Sequence, residues 1–232
     1  MFGWYYPFAL PLAAIPVALL VLSSLDNPEP RNEQALKEEV GDVWKHVKSG
    51  RVAGLFASTL VTFVVLFGPL VYYLPIFMYS SFGSSPLLTG TVVASASLTS
   101  ALASTQLGRL TAYFHEQTLI RASYVLYVVS LCLVPLVPML ISNAWPLFVP
   151  TVLFGVAQSL NLPNAFSLLT AEAPSENRGA FMSINSTILR LGQTLGPPLM
   201  AAAALPLGLG GAYFAAAALA LAMLLVALTT IR

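Results

Sequence analysis

Apolar residues run in seven long blocks, separated by short polar breaks: Gly3–Leu22, Val52–Tyr79, Leu87–Leu107, Leu119–Leu140, Trp145–Leu169, Ala180–Ala202 and Leu207–Thr229. A helix needs about 20 apolar residues to cross a hydrocarbon layer roughly 30 Å thick, and each block meets that length. Only helices and closed barrels can span a bilayer, because backbone polar groups find no water there. None of the blocks shows the short apolar–polar alternation of barrel strands. The pattern therefore predicts an all-α integral membrane protein with seven transmembrane helices. The second block is longer than a span requires, which predicts a tilt or a break near Gly68-Pro69 or Pro75.

The polar breaks are unequal, and the inequality predicts an orientation. One set carries Arg31, Lys37, Lys45, Lys48 and Arg51, then Arg109, His115, Glu116 and Arg121, then Glu172, Glu176 and Arg178, then Arg232. The alternate set, 80–86, 142–144 and 203–206, has no charged residue. Basic residues stay on the cytoplasmic side of a bilayer, so the charged loops and the C-terminus are expected there, in a bacterial or archaeal cell membrane. Residues 32–49 place Leu36, Val40, Val43 and Val47 on one helical face, which predicts an amphipathic surface helix; a solvated linker is the alternative. Three segments follow: 1–22 as one helix, 23–51 as a cytoplasmic loop, and 52–232 as a six-helix domain. The six spans split into two triplets around Leu140, as inverted three-helix repeats would.

Composition strengthens this picture and narrows the chemistry. The chain is 57% hydrophobic and 8% charged, against about 25% charged in soluble domains. A net charge of +1 without a basic cluster argues against nucleic acid as a partner. The single cysteine, Cys132, lies in an apolar run and reads as a small buried hydrophobe. There is no metal-ligand cluster, phosphate loop or nucleophile–base pair at bilayer depth, so no cofactor and no enzyme activity are expected.

The polar residues inside the blocks are the candidate chemistry. Arg190 lies about 10 residues into its block, or ~15 Å along the helix. An arginine at a helix centre costs roughly 3 kcal/mol in lipid. It either faces a cavity that attracts anionic groups, or it snorkels to the cytoplasmic interface. No Asp or Glu lies within any of the seven blocks. Asn185 and Gln193 accompany Arg190. Gln158, Asn161 and Asn164 recur at three-residue spacing around Pro163, either lining a pathway or bonding helices together. Tyr72 belongs to an aromatic cluster with Tyr73, Phe77 and Tyr79, and either anchors at the interface or faces substrate. Gly192 and Gly196, and the strip Ala94, Ser97, Ala101 and Ser104, predict close helix packing.

Several short motifs carry a family resemblance. Phe2-Gly3-Trp4-Tyr5-Tyr6-Pro7-Phe8 is similar to an aromatic Gly-Trp-Arg-x-Pro-Phe lead-in to a sixth helix, and Asn27-Pro28-Glu29-Pro30 to the start of a central loop. Ser85-Pro86-Leu87-Leu88-Thr89-Gly90 resembles the opening of an eighth helix. Gly108-Arg109-Leu110 through Arg121 falls where a Gly-x-x-x-Asp-Arg motif repeats, with Ala112-Tyr113 in place of Asp-Arg. Glu172-Ala173-Pro174, Asn177-Arg178-Gly179 and Leu191-Gly192-x-x-Leu195-Gly196-Pro197 resemble a tenth-to-eleventh helix passage. In order and spacing these resemble the carboxy-terminal half of a major facilitator superfamily transporter, preceded by the last helix of its amino-terminal half. The resemblance implies a secondary transporter working by alternating access, closest to exporters of drugs or small metabolites by proton antiport. It implies a small-molecule substrate and a missing amino-terminal half as partners. It also implies a cytoplasmic gating motif of Gly108, Arg109, Arg121, Glu172 and Arg178. A non-transporting half, serving assembly or regulation, is the competing expectation.

Overall fold

A computed structural model describes residues 15–16, 19–20, 23, 50–173 and 178–231. The chain divides into two units, residues 1–38 and 39–232. Of the predicted first span, the described residues Ile15, Pro16, Leu19 and Leu20 are helical. The predicted surface helix at 32–49 lies outside the described residues. Everything below concerns the second unit.

From Gly50 onward the described residues are helical apart from short turns. The first rod, Gly50–Phe82, consists of α1 (Gly50–Val65), a π-helical segment (Leu66–Tyr73) and α2 (Leu74–Phe82). The expected irregularity at Gly68-Pro69 thus takes the form of a changed winding rather than a break. Gly83 ends the rod in a left-handed conformation (φ 60°) that a side chain would disfavour, and its N–H caps the carbonyl of Tyr79. The next helix starts at once. Ser85 accepts a hydrogen bond from the Leu88 N–H, and Pro86 takes the first position, where its missing N–H costs nothing. This is α3 (Pro86–Ser104). A short α4 (Leu107–Tyr113), then α5 (Glu116–Leu140) and α6 (Phe148–Glu172) follow.

The last helix, α7 (Arg178–Thr230), runs 53 residues, more than twice a membrane span. Gly208 divides it. Its backbone (φ 72°, ψ 173°) lies in a region open essentially to glycine alone. Packing shows that the chain turns back there. Phe56 stacks on Phe181, Gly192 abuts Leu60 and Phe63, and Gly196 abuts Val64 and Gly68. The first arm, 178–207, therefore runs parallel to α1. Tyr213 then bonds Pro69, and Thr230 sits against Gly54, so the second arm, 209–230, runs antiparallel. Gly196 and Tyr213 would be ~25 Å apart on an unbroken helix, yet both meet the same turn of the rod.

The same test orients the rest. Tyr124 meets Ser58 and Thr62 while Ser130 and Val134 lie with Leu70 and Leu74, so α5 parallels α1. Asn161 meets Ser123 and the Pro150 carbonyl meets Ser130, so α6 is antiparallel to α5. Ser95 bonds Thr151 and Ala96 abuts Gly155, so α3 parallels α6. Up-and-down alternation gathers Arg51, His115, Glu116, Arg121, Glu172 and Arg178 toward one end. The turns at 83–85, 141–144 and 208 occupy the other, which is uncharged.

The close contacts depend on absent side chains. A Cβ on Gly196 would stand 2.7 Å from the Gly68 nitrogen and 2.8 Å from the Val64 oxygen. The predicted small strip on α3 behaves differently: Ala94, Ser97, Ala101 and Ser104 are exposed, and the helix buries Val92 and Ala96 instead. Gly196→Leu is expected to destabilise the protein by overpacking, by about 1–3 kcal/mol. Gly90→Leu, where a Cβ meets nothing within 4 Å, is expected to leave stability unchanged. Thermal unfolding of both variants in detergent checks the contrast, and equal melting temperatures would refute it.

Candidate functional site

The first arm of α7 has two opposite faces. Phe181, Asn185, Gly192, Gly196 and Met200 are buried against the bundle. Ser183, Thr187, Arg190 and Thr194, spaced by four, three and four residues, form an exposed stripe on the far side, with Ser186 beside it. The stripe points away from the bundle's own core. Its hydroxyls cost little, because Ser186, Thr187 and Thr194 each donate to a carbonyl four residues back.

Arg190 has no such solution. Its Nη1 donates to the Gln193 Oε1 at 3.1 Å. A guanidinium carries five donors, so one bond leaves most of them open. No carboxylate among the described residues pairs with it. Arg190 stands ~18 Å along the helix from the charged end at Arg178. Arg190 and Gln193 are the two predicted pathway residues that the fold brings into direct contact.

The other candidates scatter. Asn161 is fully buried: it accepts from the Thr62 hydroxyl at 2.9 Å and donates to the Ser123 hydroxyl at 2.8 Å. Tyr124 adds contacts to Thr62 at 3.1 Å and to the Ser58 hydroxyl at 2.9 Å. This chain of polar groups joins α1, α5 and α6 in the bundle interior, so Asn161 fastens helices rather than lining a pathway. Asn164 spends its amide on the Leu160 carbonyl. Gln158 is half-buried on α6, and Tyr72 is exposed on the π-helical segment. Asn185 is completely buried, and neither of its amide atoms has a hydrogen-bond partner among the described residues.

At the charged end, Glu172 pairs with Arg51 at 2.9 Å, while Arg178 is exposed. Arg121 donates to the Ile231 carbonyl at 2.7 Å, tying the start of α5 to the end of α7. Glu116 accepts from Ser167 across the α5–α6 pair. Arg109 bonds Gln106 on the same short turn, and Gly108 is exposed beside it. Of the expected gating residues, Arg121 and Glu172 each tie two helix ends together among the described residues. Sequence reasoning missed the Ser58–Thr62–Tyr124–Ser123 network and the Arg51–Glu172 pair. Ser58 and Thr62, four residues apart in an apolar block, are the signal that could have revealed the network.

The family model of the Major Facilitator Superfamily matches residues 71–232. The chain belongs to that superfamily. No curated protein matches it. Membership makes it an integral, multi-pass membrane transporter with a lipid environment and a small-molecule substrate, in a family whose members are not enzymes. The matched region holds the Arg190 stripe, the Asn161, Ser123 and Tyr124 members of the polar network and the last three residues of the π-helical segment of this major facilitator protein.

The network and the ion pair should differ sharply in energetic weight. Asn161→Ala removes two buried hydrogen bonds, from the Thr62 hydroxyl and to the Ser123 hydroxyl, and is expected to cost about 1–3 kcal/mol. The Arg51 and Glu172 side chains are 35% and 31% exposed, and such pairs are worth about 0–1 kcal/mol. Arg51→Ala should therefore leave the melting temperature nearly unchanged. Unfolding of the two variants side by side tests this, and an Arg51→Ala defect as large as that of Asn161→Ala would contradict it.

Proposed function

We propose that this chain forms the carboxy-terminal half of a secondary transporter that moves small molecules by alternating access. Residues 1–22 then supply the last helix of the amino-terminal half, 23–51 the cytoplasmic loop, and 52–232 a six-helix domain of two inverted repeats. The charged end of the bundle faces the cytoplasm, as the bias of basic residues favours. The observation that carries the proposal is the outward stripe of α7. A guanidinium with open donors cannot face hydrocarbon cheaply. It fits a water-lined path between two halves, where transporters of this architecture hold substrate near the midplane.

The direction we favour is export of drugs or metabolites coupled to protons. The spans of this chain hold no carboxylate, so the titrating acid belongs to the partner half. Arg190 then serves as the fixed positive charge opposite that acid or opposite an anionic group of the substrate. Gln193 positions it, and Gln158 and Tyr72 are further pathway candidates.

Arg190→Ala, made in the complete gene product, is expected to reduce transport about tenfold or more, the loss of one charge-assisted contact of ~1.5–3 kcal/mol. Expression and membrane insertion should be normal. The measurement is proton-gradient-driven flux in inverted vesicles, with and without an uncoupler. Unchanged flux in Arg190→Ala would place the residue at a lipid interface and remove the basis of the proposal.

A further inference from the structure

The Gly50–Phe82 rod changes winding in its middle. Over Leu66–Tyr73 it is a π-helix, in which N–H groups reach five residues back instead of four. The sequence supplies a cause. In an α-helix the Pro69 ring would clash with the carbonyl four residues earlier, that of Val65. The wider π winding relieves the clash. Short π segments recur at functional sites, because they store a local irregularity inside an otherwise regular helix.

Two contacts fasten this segment to α7. The Tyr213 hydroxyl donates to the Pro69 carbonyl at 3.0 Å in the buried interior, and its ring stands edge-on to Phe77 at 5.3 Å. The Gly196 backbone lies directly on Gly68, with no side chain to interlock. Beside them is a half-open apolar groove of about 170 Å³, lined by Val65, Pro69, Gly196, Met200, Ala212 and the exposed Leu199. On that side the segment faces open space rather than the close-packed side chains of a core. This segment therefore has room to rewind where a close-packed helix would not.

We propose that Leu66–Tyr73 is a two-state hinge, π-helical in the state described here and α-helical in another, with the Tyr213–Pro69 hydrogen bond as the latch of the π state. The inference stands on α1, α2 and α7 and does not depend on the role of Arg190. Rewinding one π turn to α adds about one residue's worth of rotation, ~100° at 3.6 residues per turn. Each residue beyond Tyr73 then takes the direction of its successor. Ile76, now 50% exposed, turns to the buried direction of Phe77. Met78, now 0% exposed, turns to the exposed direction of Tyr79. The uncharged end of the rod thereby presents a different face to whatever lies against it. Positions 76 and 78 report the change because they exchange environments, while Phe77 stays buried and Tyr79 stays exposed.

The test uses the full-length protein in a Cys132→Ser background, carrying either Ile76→Cys or Met78→Cys, and compares rates of modification by N-ethylmaleimide. In the parent, position 76 should react faster than position 78. Pro69→Ala removes the ring clash and restores an N–H, and is expected to invert that order. Tyr213→Phe keeps the ring and removes the donor. It is expected to shift the rate ratio toward inversion by up to about tenfold, the worth of one neutral hydrogen bond. An unchanged ratio in Pro69→Ala overturns the hinge, and an unchanged ratio in Tyr213→Phe overturns the latch. Fast reaction at both positions, with loss of cooperative unfolding, would show that Pro69 and Tyr213 only hold the fold, and it too overturns the proposal.

Discussion

A buried polar group in hydrocarbon must find a partner inside the protein, and that constraint organises this bundle. Asn161 shows how it is met. One side chain accepts from α1 and donates to α5 while standing on α6, so three helices are fixed in height relative to one another. Tyr124 repeats the linkage between α5 and α1. Apolar packing alone cannot set that height well, because lipid chains compete with leucine side chains on nearly equal terms. The hydrogen bonds supply the register, and the glycine contacts supply the closeness.

The constraint is not met everywhere: the Tyr127 hydroxyl on α5 is buried without a partner among the described residues, and further open groups lie on or against α7. Arg190 has one bond where it could make five. Asn185 is buried with both amide atoms unpaired among the described residues. Pro69 cannot donate, and its carbonyl turns to Tyr213 of the second arm. The bonded core of α1, α5 and α6 is a fixed block by comparison. The first arm of α7 meets α1 at close backbone range through Gly192 and Gly196, with Phe181 stacked on Phe56 beside them. Incomplete bonding in one element makes it easier to shift than a fully bonded one, since fewer hydrogen bonds hold it in one position.

Much of the fold was legible from the pattern of apolar blocks, because the bilayer imposes one length on every span. Gly83 falls inside the predicted break 80–86, whereas the turn at Gly208 lies two residues past the predicted break 203–206, which is itself helical. Other features were not legible, for identifiable reasons. A π-helix and a bent α-helix both follow from Gly68-Pro69, and only the surrounding contacts decide between them. Asn161 and Arg190 are both polar residues in apolar blocks, yet one faces Thr62 and the other faces away. Which face a span buries depends on its neighbours, and a helix with polar residues on two sides does not disclose them. The α3 strip of Ala94, Ser97, Ala101 and Ser104 misleads for the same reason: its spacing marks a face fit for close approach, but α3 packs through Val92 and Ala96.

Energies rank these features. An unpaired buried amide costs about 1–3 kcal/mol, which is the size of the free-energy gap that separates two populated conformations of one protein. The penalty at Asn185 and the open donors of Arg190 therefore weigh on the conformational balance, whereas the Arg51–Glu172 pair, partly exposed, weighs little. A transporter must not lie too deep in any one state, since each cycle has to leave it again. Leaving polar groups of one helix unsatisfied raises the state that contains them, and it does so at the element least interlocked with the rest. The same residues that make this arm expensive in a static bundle make it inexpensive to move.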